Sequence, residues 1–457
     1  MVWKKKHKLS ESCVAGTLDN RNKRRKENDD DDASNSSSSS SDDEAKNELR
    51  ADDIYYVKDG LQQIHPYYHK YATHAKGRWV GRSIFEIFSQ EFRDRSTDYY
   101  EAAIRQGLIE LNGATVDPSA IVRNGDLVTH YIHRHEPPVG TEPIRVVEER
   151  DGLLVIDKPP SVPVHPSGRY NYNSVIRILE IKHGYTGLFP VNRLDRLTSG
   201  LMLIGLNANV ARNMEVDFRL HRIQKEYICK VKGDFPPEHI VCDQPIRVVA
   251  HKLSLNCVDP ADGKPSTTEF QRLSGDGETS IVYCRPKTGR THQIRVHLQF
   301  LGFPIANDPL YCNEDVWGQD LGKDGNLPPA NSNSSSKQPV KTTTPLAADT
   351  VEVPEKMAGK RDNDSANEPW LPLVQRMEEW KTKQELVDHV GKSVDCVPRM
   401  CSKCSNPTYP DPTPDELSIW LHAWRYSGPG WTFETPLPAW AQGASDLVDS
   451  VKYHSEQ

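Results

Sequence analysis

Residues 191–200 read Val-Asn-Arg-Leu-Asp-Arg-Leu-Thr-Ser-Gly, and the apolar run Leu201–Leu206 follows without a break. The first part is turn-like and places the carboxylate of Asp195 between Arg193 and Arg196. The second part has the length of a buried strand. The pattern therefore predicts that Asp195 lies at the edge of a sheet, on a loop that a rigid element holds in place.

The charge pattern around Asp195 allows two interpretations. The neighbouring cations Arg193 and Arg196 favour the ionised carboxylate, and an ionised carboxylate at the mouth of a cleft can act as a nucleophile or a general base. An Asp between two arginines is, however, more often part of a loop ion pair. The spacing alone leaves both interpretations open.

A second stretch, residues 285–298, reads Arg-Pro-Lys-Thr-Gly-Arg-Thr-His-Gln-Ile-Arg-Val-His-Leu. Here Thr291 is the predicted N-cap of a helix, and Arg290 lies at the helix entrance. The backbone N–H groups of a helix entrance also favour a nearby carboxylate. The predicted buried positions, at helical spacing, are Ile294, Leu298 and Leu301. The alternative interpretation is a basic loop in solvent.

Two histidines in this second stretch do not predict a metal site. Neither His292 nor His297 has an acidic or cysteine neighbour in the sequence that could complete a ligand set. The pair Cys401 and Cys404 stands alone as well, whereas a zinc site of this kind needs a second ligand pair. Two free thiols are therefore expected, with a small zinc knuckle as the alternative.

A third stretch, Lys225-Glu226-Tyr227-Ile228-Cys229-Lys230-Val231, has the composition of a strand. Strand alternation puts Tyr227 on the same face as Cys229 and Val231. That face is apolar, so the ring of Tyr227 is expected to point inward. Such a tyrosine is usually a core residue with its hydroxyl hydrogen-bonded, but one that lines a pocket could stack on a flat ring.

Composition varies strongly along the 457 residues. The whole chain carries a net charge of −7 and a mean hydropathy of −0.67, but residues 1–50 are neutral, residues 51–310 carry +1 and residues 311–457 carry −8. The acid surplus therefore does not argue against a nucleic-acid surface in the middle of the chain. No apolar run approaches the length needed to span a bilayer, and nine scattered cysteines do not form a disulfide framework, which favours a reducing compartment.

These patterns predict six segments. Residues 1–54 form a disordered charged and serine-rich tail, and 55–138 form a compact α/β unit. Residues 139–312 form the main folded domain, 313–366 a disordered insertion, 367–441 the end of that same domain, and 442–457 a tail. The basic clusters of the first tail could be read by a nuclear import receptor or could simply solubilise the chain. Its acidic part argues against a mitochondrial transit peptide.

Four motifs together resemble the RluA family of RNA pseudouridine synthases. They occur in the order and spacing of that family: Leu154–Pro160, Asn192–Gly200, Lys225–Tyr227 and Gly289–His297. The segment Leu421-His422-Ala423 is similar to the family's closing motif. Asn192 and the tail around Tyr426 resemble the eukaryotic, fungal-like branch that modifies tRNA.

The resemblance implies a fold and an activity. The expected fold class is α+β, with a mixed, mostly antiparallel sheet in the catalytic domain and a small S4-like RNA-binding domain before it. The expected reaction is isomerisation of uridine to pseudouridine, most plausibly at position 32 of the tRNA anticodon stem-loop. The reaction has no redox change and needs no energy input, so no cofactor and no metal are expected.

The resemblance also implies roles for individual residues. Asp195 is the expected catalytic carboxylate, Arg290 the arginine that pairs with it, and Tyr227 the aromatic ring that stacks on the uracil and takes part in the final proton removal at C5. The candidate RNA contacts, chosen only for their position near the motifs, are Arg193, Arg196, Arg285, Lys287 and Arg295. Each of these could equally be a solvated surface charge.

The expected partner is RNA, specifically tRNA, with no membrane, no obligate protein partner and a monomeric state. The expected location is the cytoplasm or the nucleus, with mitochondria less favoured. The alternative function is a catalytically dispensable RNA-binding protein or tRNA chaperone on the same scaffold. An intact Asp195 favours the enzyme over this alternative.

Overall fold

The computed structural model describes residues 50–92, 96–250, 254–326, 370, 373–379, 411–444 and 447. From Ala51 onward these residues belong to one compact unit. The predicted tail 1–54 therefore lies outside the described residues except at its end, where Ala51–Ile54 form helix α1. Cys401 and Cys404 also lie outside the described residues.

The first part of the fold is a small α/β unit. Strands β1 (Tyr55–Lys58) and β2 (Leu61–Ile64) form a hairpin, which β7 (Val139–Gly140) extends. A separate four-stranded sheet has the order β3-β6-β4-β5. Its strands are β3 (Tyr67–His74), β4 (Ile109–Leu111), β5 (Ala114–Thr115) and β6 (Leu127–Arg134).

Two capped helices cover this four-stranded sheet. Helix α2 (Ile84–Glu91) begins after Ser83, whose side chain accepts a hydrogen bond from the backbone N–H of Glu86. Helix α3 (Thr97–Arg105) is capped in the same way by Ser96. A serine cap satisfies one of the backbone donors that a helix start leaves unpaired. The apolar faces of both helices meet Ile109 and Val128 of the sheet in one core.

The second part is built on a ten-stranded sheet within the described residues. Its main path runs β13-β16-β17-β12-β18-β11-β9-β8, while β10 pairs with β11 and β19 with β18. The strands are β8 (Arg145–Arg150), β9 (Leu153–Lys158), β10 (Phe189–Pro190), β11 (Ser199–Gly205), β12 (Gln224–Lys232), β13 (Ile240–Asp243), β16 (Thr267–Gly275), β17 (Thr279–Pro286), β18 (Leu421–Gly428) and β19 (Trp431–Glu434). Strands β14 (Ile246–Ala250) and β15 (Leu255–Val258) form a separate hairpin.

The sheet is antiparallel at every pairing of that path except one. Only β11 and β18 run parallel. The predicted mixed, mostly antiparallel sheet is therefore confirmed for the catalytic domain. No helix among the described residues is both long and apolar enough to cross a membrane.

Both faces of the central strands are buried, which explains their unbroken apolar sequence. On β11, Met202 and Ile204 pack in one core with helix α4 (Val175–His183). The alternate residues Leu201 and Leu203 pack in a second core with helix α5 (Ala208–Arg219). A strand covered on both sides reads as a continuous apolar run instead of an alternating one.

Strand β18, from the C-terminal part of the chain, lies in the middle of the large sheet, between β11 and β12. Its close approach to β11 requires a glycine, because a Cβ on Gly200 would overlap the backbone of Ala423. Gly200 also has a φ of 111°, a conformation that favours glycine. This glycine closes the 191–200 stretch, so the loop that carries Asp195 is held against a strand more than 200 positions later in the chain.

Two sequence expectations differ from the structure at element boundaries. Helix α6 spans Gln293–Phe300, and the residue before it is His292 in a left-handed conformation; Thr291 does not cap the helix. Residues 313–326 were expected in the insertion, but helix α7 (Glu314–Trp317) forms there, and Val316 and Trp317 lie in the core. The reason is that these two apolar side chains fill a space beside α6 and the β14–β15 hairpin. Residues 327–366 of the expected insertion lie outside the described residues.

Candidate active site

The loop that carries Asp195 is held in place by apolar neighbours that are buried in the core. Leu194 and Leu197 are buried in two different cores. The carbonyl of Leu197 accepts a hydrogen bond from the backbone N–H of Ile419, 3.1 Å away, and Thr198 N–H closes a turn onto the carbonyl of Asp195. The Asp195 side chain remains 31% exposed. The loop therefore presents a carboxylate to solvent from a rigid base, as the sequence predicted.

The cations that surround this carboxylate come from elsewhere in the chain. Arg295 Nη1 lies 3.1 Å from Asp195 Oδ2, and His292 Nε2 lies 3.6 Å from the same oxygen. Burial by itself would raise the pKa of Asp195, but the influence of His292, Arg295 and Lys158 outweighs burial and lowers that pKa below its usual range. Asp195 is therefore ionised at neutral pH, although its sequence neighbours Arg193 and Arg196 are not the cause.

Arg295 is a buried active-site arginine in this structure, not a surface contact. It is 5% exposed, and its Nε and Nη2 atoms donate to the two carboxylate oxygens of Asp308 at 2.6 and 2.9 Å. Its third nitrogen, Nη1, donates to Asp195. Paired carboxylates raise the pKa of Arg295 further, against the effect of burial. Three of the five guanidinium N–H donors bond carboxylates inside the protein, and the expected contact between Arg295 and RNA phosphate stays a prediction.

Arg290 does not pair with Asp195 here. It is exposed, and its Nε donates to the carbonyl of Pro265. The contact that the resemblance expected of Arg290 is made by Arg295. The physical reason is the start of α6: His292 turns the chain in a left-handed conformation, so that His292 and Arg295, and not Arg290, face Asp195. The catalytic role of Arg290 stays a prediction.

His292 is a site residue that the sequence argument missed. Its Nδ1 lies 2.9 Å from the hydroxyl of Tyr311 and 3.4 Å from Asn256 Nδ2, on the side of the ring opposite Asp195. Its φ of 57° is uncommon for a residue other than glycine and is often found at functional sites. No acidic neighbour in the sequence signals this position, because Asp195 comes from a loop 97 positions earlier.

Tyr227 lies in the same cleft, next to a bulge in β12 between Glu226 and Tyr227. Its hydroxyl is 2.7 Å from that of Tyr426, which in turn accepts a hydrogen bond of 3.3 Å from Asn192 Nδ2. Burial, together with the negative charge of Asp195, raises the pKa of Tyr227 to about 12. Tyr227 is therefore a neutral phenol at physiological pH, close enough to Asp195 for that charge to act on it.

A buried lysine supports the floor of the cleft. Lys158 is 0% exposed, and its Nζ donates to the carbonyls of Pro159, Val162 and Arg196 at 2.8, 2.9 and 3.3 Å. Burial lowers the pKa of Lys158 to about 7. Through its bond to the carbonyl of Arg196, this side chain ties the end of β9 to the Asp195 loop. The sequence motif 154–160 contained this lysine without showing what it does.

The remaining candidate RNA contacts differ in exposure. Arg193 is exposed beside Asp195, and the guanidinium of Arg196 lies 5.8 Å from the ring centre of Tyr170. Arg285 and Lys287 both approach Glu269, at 3.7 and 2.9 Å. Arg193 and Arg196 are therefore next to the cleft, whereas Arg285 and Lys287 share a carboxylate and are partly neutralised.

A metal centre is not formed by the part of the chain that the structure describes. No group of three or more His, Cys, Asp or Glu side chains there could hold an ion. The five described cysteines are free thiols, namely Cys229, Cys242, Cys257, Cys284 and Cys312.

Comparison with known proteins gives the chain a family. Residues 152–300 match the family model described as RNA pseudouridylate synthase. A human protein, pseudouridylate synthase RPUSD2, is 41% identical over 422 residues, which cover 86% of this chain and 75% of the relative. Two proteins of Saccharomyces cerevisiae are also similar. The mitochondrial tRNA pseudouridine(32) synthase is 39% identical (84% of this chain, 78% of the relative), and the tRNA pseudouridine(31) synthase is 29% identical (85% and 97%).

These relatives correct one expectation. The acidic composition of the first tail was interpreted as evidence for the cytoplasm or the nucleus over mitochondria. The relative named tRNA pseudouridine(32) synthase is a mitochondrial protein, so the expectation is wrong, and the acidity of one segment was too weak an argument to decide a compartment. The expected resemblance to eukaryotic pseudouridine synthases is, in contrast, confirmed. The chain belongs to the RluA family of RNA pseudouridine synthases and is an isomerase.

Proposed function

We propose that this enzyme converts uridine to pseudouridine in the anticodon stem-loop of tRNA, with position 32 as its target. One observation carries the chemical part of the proposal: a partly exposed Asp195 carboxylate is kept ionised by Arg295 and His292, on the loop before the central strand β11. The names of two yeast relatives support the tRNA target, since one acts at position 32 and the other at position 31.

The reaction needs an anionic group near C1′ of the ribose, where the glycosidic C–N bond breaks. We assign this role to Asp195, which either adds to the sugar or promotes elimination. Arg295 holds the carboxylate in place and compensates its charge. Tyr227 is neutral at physiological pH, so we assign it stacking on the uracil, with only transient participation in removing the C5 proton.

The target uridine must leave its stack to reach Asp195. Extrusion of a base costs a few kcal/mol, and least in a loop where the base is already unpaired. Backbone contacts from arginine and lysine offset part of this cost. Arg193 and Arg196 are placed for that role at the cleft, and Arg285 and Lys287 follow along β17. Arg290, exposed on the loop before α6, is a further candidate beside them.

We also propose that the first α/β unit, residues 55–138, is an S4-like RNA-binding module. Tyr67, His69 and Tyr71 lie in a row on one face of β3, and neighbouring rings are 6.2 and 4.4 Å apart. Arg134, on the adjacent β6, donates to the Tyr71 hydroxyl and to the carbonyl of Gly168. Aromatic rings beside cations are the groups on which single-stranded RNA stacks.

A buried carboxylate fixes this row relative to the cleft. Glu136 accepts hydrogen bonds from the backbone N–H groups of Asn171, Tyr172 and Asn173 at 2.8 to 2.9 Å, and from the Tyr67 hydroxyl at 2.6 Å. The loop that supplies those N–H groups also carries Tyr170, over which Arg196 lies. RNA bound on the β3 face would therefore be held in a constant register with Asp195. The enzyme would act as a monomer without a protein partner.

The test uses cells that lack the gene and express either the wild-type chain or the Asp195→Asn variant. We expect pseudouridine at tRNA position 32 with the wild type and none with the variant, because the amide has the shape of the carboxylate but not its charge. Asp217→Asn, on helix α5, is the matched control: Asp217 pairs with Arg222, and the variant should restore the modification. Fractionation of the same cells, with mitochondrial and cytosolic tRNA mapped separately, identifies the compartment of the substrate.

Three results would change the proposal. Pseudouridine at position 32 made by the Asp195→Asn variant would remove Asp195 from the chemistry. Modification at another uridine would replace only the target. Full rescue of a growth defect by a variant that makes no pseudouridine would favour the alternative, an RNA-binding or chaperone role.

A further inference from the structure

The neutral or charged state of His292 is determined by the groups around its ring. Asn256 lies on the side of Nδ1, and its side-chain Nδ2 donates to the carbonyl of Ser254 at 3.0 Å. That bond fixes the orientation of the amide, since the reverse orientation would place two oxygens against each other. Nδ2 is therefore the atom that faces His292 Nδ1, at 3.4 Å. An amide nitrogen only donates hydrogen bonds.

Tyr311 supplies a second donor to the same ring nitrogen. The backbone N–H of Asn256 points at the Tyr311 hydroxyl oxygen from 3.3 Å, so this oxygen already accepts a hydrogen bond. Among the described residues, His292 Nδ1, 2.9 Å away, is the one acceptor that faces the hydroxyl proton, so the proton is donated to that nitrogen. Two donors converge on Nδ1, which must consequently carry a lone pair. In a neutral imidazole the proton is then on Nε2, the nitrogen that faces Asp195.

The cationic donor Arg295 and the neutral donor His292 approach the same carboxylate oxygen of Asp195. Arg295 Nη1 and His292 Nε2 both lie against Oδ2. Among the described residues, none of the hydrogen bonds or ion pairs involves Oδ1. The 3.6 Å between Nε2 and Oδ2 is longer than an ordinary hydrogen bond. Such contacts in free enzymes often shorten once substrate is bound.

We propose that His292 is a positioning residue that donates its Nε2 proton to Asp195 Oδ2 and leaves Oδ1 to react at C1′ of the ribose. The inference rests on the proposed role of Asp195. With Arg295, the histidine prevents the carboxylate from rotating and so selects the reacting oxygen. A neutral donor can hold the carboxylate without placing a second positive charge beside the guanidinium of Arg295. The left-handed backbone of His292 is the conformation that brings Nε2 to this position.

Two substitutions give opposite predictions for this role and for a purely structural one. Gln carries an amide nitrogen near the position of Nε2, whereas Asn carries one near the position of Nδ1. Asn, however, tolerates a left-handed backbone better than Gln. If His292 acts through Nε2, His292→Gln should keep kcat within about 10-fold of the wild type. His292→Asn should then lose about 100-fold, as is typical when one positioned donor is removed.

The experiment measures single-turnover conversion of a tRNA anticodon stem-loop by each variant, together with its affinity for the same RNA and its unfolding temperature. We expect the loss in kcat alone, with KM and RNA affinity unchanged. His297→Gln is the matched control: this histidine is fully buried on α6 and bonds Thr268 and the carbonyl of Gln244, away from Asp195, so kcat should not change. Long-range ¹H–¹⁵N spectra of the wild type should show His292 protonated on Nε2 only.

Several outcomes would overturn the inference. One is an Nδ1-protonated or doubly protonated His292 at neutral pH. Another is a His292→Asn variant at least as active as His292→Gln, which would mean that only the backbone conformation matters. Either result is separable from a failure of the proposed function. If only the role of His292 is wrong, Asp195→Asn still abolishes conversion; if the proposed function itself is wrong, Asp195→Asn does not abolish it.

Discussion

The cleft around Asp195 and the outer face of β3 both combine tyrosine, histidine and arginine, but they differ in burial and pairing. In the cleft, Arg295 is almost fully buried and each of its described hydrogen bonds is to a carboxylate. On β3, Tyr71 is 44% exposed and the nearby Arg134 bonds a hydroxyl and a carbonyl, not a carboxylate. The same residue types therefore serve two purposes.

The difference in pairing indicates what each region can recognise. A buried cation with fixed carboxylate partners cannot turn toward a flexible phosphate, but it can hold one reacting group within tenths of an ångström. A half-exposed cation beside aromatic rings retains its charge for an incoming anion and its rings for stacking. We therefore propose that the cleft determines the chemistry and that the β3 face contributes affinity for RNA.

The largest effect is expected from replacing, one at a time, the two arginines near the start of α6. Arg295→Gln removes one partner of a buried ion pair and leaves Asp308 uncompensated. We expect kcat to fall by at least about 100-fold and the free energy of unfolding to fall by about 3–5 kcal/mol. Arg290→Gln should lower kcat and the free energy of unfolding much less. Single-turnover rates and denaturant unfolding measure the two quantities, and a larger loss of kcat in Arg290→Gln would restore the role predicted from the sequence.

The β3 face gives the next largest effect, and it should be confined to binding. Tyr71→Ala removes a ring from the proposed stacking row, and we expect the Kd for tRNA to rise about 10-fold while kcat at saturating RNA is unchanged. Tyr68→Ala is a matched control, because Tyr68 is 47% exposed on the opposite face of the same strand. Equal losses of affinity in both variants would show that the row on one face is not the binding surface.

A smaller effect is expected from the hydroxyl that links Asn192 to Tyr227. Tyr426→Phe leaves the ring in the core and removes only this hydrogen-bonding group. We expect kcat to fall about 5- to 10-fold, with a loss of stability of about 1 kcal/mol. Tyr283→Phe is the control. Tyr283 lies on β17, and its hydroxyl interacts with Glu226. An unchanged kcat in Tyr426→Phe would mean that Tyr227 needs no hydroxyl partner.

The smallest change should appear in the pH dependence of the wild type. Because the pKa of Asp195 is lowered in the folded protein, the carboxylate should remain ionised until the pH falls below the ordinary value of about 3.9. Ionisation of this group contributes stability above its unfolded pKa, and that contribution is lost as the pH falls through the folded pKa. Single-turnover rates should therefore show no acid limb from Asp195 between pH 5 and 8. A limb near pH 6 that disappears in His292→Gln would instead indicate a titrating histidine.

The linear order of residues was informative where a motif or a period carried the signal. The apolar run after Gly200 predicted a buried strand, and β11 is buried on both faces. Tyr227 was predicted to face inward from strand alternation, and its ring does pack beside the core that contains Cys229 and Val231. These features are local, since they depend on the period of a strand and on composition.

Contacts between distant motifs could not be predicted in the same way. The arginine next to Asp195 was expected to be Arg290, because the family resemblance assigned that role to it. A single left-handed residue, His292, moves the start of α6 by one position and changes which side chains face the cleft. The hydrogen bonds that Glu136 accepts could not be predicted from the sequence either, since its partners are backbone N–H groups 35 to 37 positions away.

The sequence by itself determined the family, the mostly antiparallel sheet and the identity of the carboxylate candidate, because each depends on residue types in a fixed order. Only the tertiary structure decided which cations hold Asp195, which of its oxygens remains for substrate and how the β3 face is fixed relative to the cleft. Electrostatic and hydrogen-bonding contacts act over a few ångströms in space, and the chain brings Asp195, His292 and Asp308 within that range only after β11, α6 and β18 have packed.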